Sequence, residues 1–471
     1  MTPRRADSPR LALPGEAIAC ALAAAFVAAA ALPGNRFGLA ASLVLLAIIA
    51  ASAVTRPGQW LFRTAAALLA LAPFARDAAW VIVPDLVAAL VLASLAAARA
   101  ADWRAMRAGL GRTLRSVAPA LPVLLAPVVA AGRRDRVRTA LPLLRGLVIG
   151  GALLVVFGTL FVSADAAFAE VVDNTLVPHW SLAGLPERVL VFSAVAALAG
   201  ALALTAAQPL VAGAPRTSSP RLQPAEWVPA LTLLDLLFAA FVAVQLAVLF
   251  GGHDHVLQTA GLTYSEYARQ GFVELIVAAV LTLAVAAVAA RHAARHDELQ
   301  RRALLVLGGV LFALTLVVLA SALKRLGLYE EAFGFTRTRL LAHGIVVWLA
   351  GLFVLVGACA ALGWAKYLPR SAVLLTASGL IVATVANPDA MIAARNADRY
   401  AKTGRIDIAY LRNLSADAVP RLVTLPADIR GCVVDRQLAR LASSDQLTEL
   451  NLSRSHARDA LARLPRATCR R

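Results

Sequence analysis

Asp235 stands in the run Leu231-Thr232-Leu233-Leu234-Asp235-Leu236-Leu237-Phe238, a carboxylate among leucines with a single hydroxyl nearby. Glu274 opens another apolar run, just after Tyr264, Tyr267, Arg269 and Gln270. An ionisable side chain in lipid costs about 3 kcal/mol or more unless it is paired or meets water. Each is therefore a candidate for a proton relay or for a site that takes a polar substrate. The competing reading is structural, with Asp235 or Glu274 closing on an arginine of another helix to fix packing. Asp85 and Arg63, also inside apolar runs, complete this set.

A second concentration of charge runs from Lys324 to Arg339. It includes Tyr329-Glu330-Glu331-Ala332-Phe333-Gly334-Phe335-Thr336-Arg337. Glu330 and Arg337 are seven apart, a spacing that predicts one shared helical face and internal neutralisation. The functional alternative is an anion or headgroup site at the outer surface. His253-Asp254-His255 has the alternation of a metal site, but no third ligand at a suitable spacing, so a solvated loop is expected. The sequence has no P-loop, no glycine-rich dinucleotide fingerprint after a strand, no Gly-x-Ser-x-Gly elbow and no Cys-x-x-Cys. No catalytic residue, metal or cofactor is expected, and an enzyme is disfavoured.

What must position these residues follows from composition. Of 471 residues, 60% are hydrophobic and only 16% charged. A soluble domain is about half apolar and a quarter charged. One soluble core cannot absorb the surplus, because cores stop growing near ~250–300 residues. The net charge of +18 would suggest nucleic acid in a soluble protein. Here the arginines fall between apolar runs and in the tail, the pattern of a membrane protein, so the bilayer is the expected partner and nucleic acid is not. Protein partners are not legible.

Apolar runs near 17–33, 37–54, 60–75, 79–98, 146–165, 189–208, 228–250, 271–290, 303–323, 341–363 and 370–386 approach the ~20 residues that span hydrocarbon as a helix. The expected fold is all-α: a bundle of about eleven spans over 1–386 and a small helical extramembrane domain over 387–471. An Arg-rich cytoplasmic loop is expected near 99–145. Ser116–Gly132, apolar but interrupted by Pro119, Pro122 and Pro127, is read as an interfacial or re-entrant segment. Loops on the N-terminal side carry more than twice the basic residues of the opposite loops. The N-terminus is thus expected inside a bacterial inner membrane and the tail outside. Cys432 and Cys469 both lie in that tail, where an oxidising compartment would join them and a reducing one would leave two thiols. Asn387-Pro388-Asp389 reads as a capped helix start.

Several segments in order resemble an uncharacterised bacterial membrane family, domain of unknown function 4173, and its relative 4153. They are Phe161-Val162-Ser163-Ala164-Asp165-Ala166-Ala167-Phe168, Tyr267-Ala268-Arg269-Gln270-Gly271-Phe272, Tyr329–Arg337, Asn387-Pro388-Asp389 and Asn451-Leu452-Ser453-Arg454. Among them Asp165 and Arg269 join Asp235, Glu274, Glu330 and Arg337 as polar candidates. The resemblance implies a polytopic membrane protein with an extramembrane tail and carries no known reaction. Two functions are compatible: transport or sensing through the intramembrane polar residues, and a structural or signalling role for the tail.

Overall fold

The computed structural model of the chain describes residues 13–131, 184–208, 222–250, 272–293 and 297–464. The described residues are helical, with one isolated bridge between Leu222 and Ala293 in place of any sheet. Among the described residues, seven helices are long and apolar enough to cross a membrane, and three apolar stretches are shorter. Each apolar run within the described residues is helical, the run 60–75 as two helices broken at Leu71; the expected span at 146–165 lies outside them. Among the described residues the count of long apolar helices is therefore seven, and the expected number of about eleven spans is not confirmed. The chain divides into two compact units, Met1–Val211 with Ser444–Leu452, and Ala212–Ser443 with Ser453–Arg471.

In the first unit the chain runs through α1 (Gly15–Ala31), α2 (Leu39–Thr55), α3 (Trp60–Ala70), α4 (Ala72–Ala75), α5 (Ala79–Ala97), α6 (Trp103–Ala131) and α7 (Leu185–Ala207). Small residues set its packing. Ala17, Ala21, Ala24 and Ala28 form a buried stripe on α1 at helical spacing. Such stripes let backbones approach where lipid supplies no hydrophobic drive. Gly200 of α7 shows how close: a Cβ there would stand 2.9 Å from Leu124 and 3.0 Å from Ala120 of α6.

Ser116–Ala131 forms the second half of α6, which runs unbroken through Pro119, Pro122 and Pro127. Helix α6 is not among the helices long and apolar enough to cross a membrane, and a continuous helix is compatible with the interfacial placement expected for this segment. Buried hydroxyls add a polar thread between helices. Ser94 of α5 meets Thr113 of α6 at 2.7 Å, and Thr113 meets Thr205 of α7 at 3.1 Å.

The second unit holds α8 (Pro224–Phe250), α9 (Phe272–His292), α10 (Glu298–Phe333), α11 (Arg337–Ala361) and α12 (Leu368–Ala386). Asp297 caps α10 by accepting from the Gln300 amide at 2.8 Å. Gly334, at φ +81°, ends α10, and Thr336 caps α11. The tail helices follow: α13 (Pro388–Thr403), α14 (Ile408–Leu411), α15 (Val419–Leu422), α16 (Ala427–Arg440) and α17 (Leu452–Ala462). Asn387 caps α13, accepting from the Ala390 amide at 3.2 Å, with Pro388 in the first turn. The tail has its own core, in which Ile392, Leu411, Val419, Leu422, Val433 and Leu461 are buried. Phe335 and Leu340, from the α10–α11 turn, pack against it.

Candidate functional site

Helix α8 buries one stripe, Trp227, Leu231, Asp235 and Val242, and leaves most of its circumference exposed. Asp235 is 7% exposed, and among the described residues neither carboxylate oxygen has a hydrogen-bond partner. Its level in the bundle follows from its neighbours. Trp227 and Leu231 cluster with Ala289 of α9 and Leu311 of α10, while Val242 clusters with Leu275 and Val318. Asp235 lies between those two clusters, and so do Thr282 of α9 and Thr315 of α10, both buried. Each threonine donates its one hydroxyl proton to its own helix, Thr282 to Ala278 at 2.9 Å and Thr315 to Leu311 at 2.7 Å. Among the described residues, what remains at this level is acceptors: two carboxylate oxygens and two hydroxyl oxygens, in an apolar seam. Such a set calls for a proton or a cation.

Glu274 does not join it. It sits exposed in the first turn of α9, beside Leu275, and thus at the level of Val242. Farther along α8, Gln245 accepts from Arg325 at 2.7 Å and from Ser321 at 3.2 Å. Arg325 is thereby held by α8. Asp85 is buried in α5, and Arg63 donates to the carbonyls of Arg56 at 2.6 Å and Ser52 at 3.3 Å. Asp165, Arg269, the His253–His255 triplet and Cys469 lie outside the described residues. Cys432 is disulfide-bonded, whereas Cys20 and Cys359 are free.

The second cluster surrounds the α10–α11 turn. Glu330 and Arg337 do not share a helical face, because Gly334 breaks the helix between them. Each finds a different partner. Glu330, 2% exposed, stands 3.2 Å from Nδ1 of His343. Arg337 turns to the tail: its Nε donates to Oδ1 of Asp389 at 2.8 Å and its Nη2 donates to Oδ2. Asp389 also accepts from the Ser415 amide at 2.9 Å. Burial alone would push its carboxyl up; the Arg337 hydrogen bond and charge, with the Ser415 bonds, hold it below the ordinary carboxylate value. The Tyr410 hydroxyl accepts from the Arg337 amide at 2.6 Å, and burial pushes the phenol up against the pull of Arg337.

One face of α13 completes the grip. Asn396 exchanges two hydrogen bonds with the backbone of Phe335, at 3.1 and 2.8 Å. Arg399 donates to the carbonyls of Glu331 at 3.0 Å and Ala332 at 2.7 Å, closing the open end of α10. Ser415 and Ser453 both donate to Asp417, so Ser453 lies against the same domain. Sequence reasoning missed Asn396, Arg399, Tyr410 and His343. The only signal available was that Asn396 and Arg399 are seven and ten residues beyond Asp389, on one helical face.

Asn451, in the other half of that segment, belongs to the first unit. Its amide donates to the Pro73 carbonyl at 2.8 Å and the Arg76 carbonyl at 2.7 Å. Alongside, the Leu39 amide donates to Leu450 at 2.9 Å and the Arg36 amide to the Glu449 carboxylate at 2.9 Å.

No curated protein and no solved structure matches the chain. A family profile does, that of a domain of unknown function, DUF4153, over residues 63–425. That stretch runs from α3 into the tail, through Asp235, the α10–α11 turn and Asp389, and the chain belongs to the DUF4153 family.

Proposed function

We propose that this protein works in a bacterial inner membrane as a transporter or sensor whose switching group is Asp235. One observation carries the reading: a carboxylate buried in the α8–α10 seam with no partner among the described residues for either oxygen, level with two threonines that offer only lone pairs. Such an arrangement costs stability unless a proton or monovalent cation completes it, and intramembrane carboxylates of this kind mark ion pathways. The eleven apolar runs and the arginine asymmetry support an N-terminus inside and a tail outside. Kinship with domain of unknown function 4173 rests on the order of the same motifs. Proteoliposomes loaded with a pH-sensitive dye test the transport arm. Wild-type protein is expected to dissipate an imposed proton or sodium gradient, and D235N to lose that activity at unchanged protein level. Equal rates for the two would overturn it.

The second reading gives the tail a structural or signalling role, and the Arg337–Asp389 pair favours it. A tail held this firmly to the α10–α11 turn can report the state of the bundle to a partner. A chain ending after Ala386 that retained full cellular function would remove this reading.

A further inference from the structure

We infer that the cavity between the first turns of α11 and α13 binds a zwitterion, a primary ammonium joined by a short linker to a phosphate or carboxylate. The cavity holds about 250 Å³. Its walls are Phe335, Leu340, Met391 and Ile392, and its charged groups are Glu330, His343 and Arg395. This volume falls below the ~300–1,000 Å³ of drug-sized pockets, so it suits a headgroup or an amino acid.

The acid lies deep. Glu330 is 2% exposed, and among the described residues its Oε1 has no hydrogen-bond donor in good geometry. His343 Nδ1, 3.2 Å from that oxygen, also stands 3.3 Å from the Arg339 carbonyl and carries at most one proton, so it is at best a shared donor. A buried carboxylate oxygen with only a shared donor is costly, and an N–H from a ligand relieves that cost. The base lies at the mouth. Arg395 is exposed, its guanidinium 5.4 Å from the centre of the Phe335 ring, with no carboxylate partner among the described residues. A guanidinium left open in this way takes phosphate or carboxylate through paired N–H groups. Acid within, base outside and apolar walls between them define a dipolar ligand. The requirement for N–H donors at Glu330 selects a primary amine over a quaternary one.

Two sources carry this chemistry, an aminophospholipid headgroup at the helix ends and a free zwitterion. Native mass spectrometry of the full chain in detergent separates them. The probes are phosphatidylethanolamine, phosphatidylcholine, phosphatidylglycerol and soluble phosphoethanolamine. Retention of phosphatidylethanolamine over phosphatidylcholine and phosphatidylglycerol supports a lipid headgroup. Binding of soluble phosphoethanolamine without lipid retention supports a free ligand. In either case E330Q and R395Q are each expected to weaken binding by about tenfold or more, the worth of one charge-assisted hydrogen bond. R395Q alters an exposed side chain and keeps the test valid if E330Q fails to fold. Equal binding of the ethanolamine and choline lipids, preference for phosphatidylglycerol, no binding of any probe, or unchanged binding by R395Q would each overturn the proposal.

Discussion

Arg337 and Asp389 lie 52 residues apart in the chain and meet fork to fork, two guanidinium nitrogens on two carboxylate oxygens. One residue opens α11 and the other sits in the first turn of α13, so the pair fixes the tail on the α10–α11 turn. Asp389 is fully buried while the Arg337 side chain is 35% exposed, and loss of either leaves the other without its charge partner.

Removal of one partner of a buried pair typically costs about 3–5 kcal/mol. D389A is expected to fall in that range and R337A somewhat lower, because the arginine is wetter. Limited proteolysis of detergent-solubilised protein should cut both variants between Ala386 and the tail core faster than wild type. The double variant should be less destabilised than the sum of the singles. Additive effects would show that the contact contributes nothing of its own.

Acid should release the same clamp. The Asp389 carboxyl is held below its usual value of 3.8 in the folded protein. Its contribution is therefore complete above that unfolded-state value and is lost as pH falls through the lower, folded one. Tail stability measured by denaturant unfolding should be flat through neutral pH and decline below about pH 4. D389N should lack that part of the decline. A matching acid slope in D389N would assign it to other carboxylates.

Gly334→Ala tests the turn itself. At φ +81° a side chain is strained by roughly 1–3 kcal/mol. The added Cβ would also stand 2.7 Å from Oδ1 of Asn396, which binds Phe335. The variant should lose tail protection in hydrogen exchange while the thermal unfolding of the first unit stays put. Wild-type protection would mean the turn tolerates another conformation.

Asn451→Ala should loosen the Ser444–Leu452 segment within the first unit. It strips the Pro73 and Arg76 carbonyls of one donor each, at about 1–3 kcal/mol per buried group. The Leu39 amide, bonded to Leu450, is the reporter, and its exchange should accelerate. Unchanged exchange would show that the Glu449 and Leu450 bonds hold the segment without Asn451.

Hydropathy reveals the helices because backbone groups in lipid have no alternative to internal bonding. Each apolar run in the described residues is accordingly helical, and Asn387-Pro388 caps α13 as its residue types require. Pro119, Pro122 and Pro127 do not end α6, which stays helical from Ser116 to Ala131. The Glu330–Arg337 spacing misleads, since Gly334 ends the helix that a shared face needs. The partners themselves are invisible locally: Tyr410, Asn396 and Arg399 act 61 to 73 residues from the groups they bind. Asp235 is legible as an anomaly, but its lack of a partner is a tertiary fact. Neither its neighbours nor the orientation of Thr282 and Thr315 follows from spacing alone.

The most direct measurement is infrared difference spectroscopy of the protein in lipid while the medium pH or sodium concentration is changed. The account predicts a carboxyl C=O band that appears and disappears with the change in wild type and is missing in D235N. Identical difference spectra for the two proteins would contradict it.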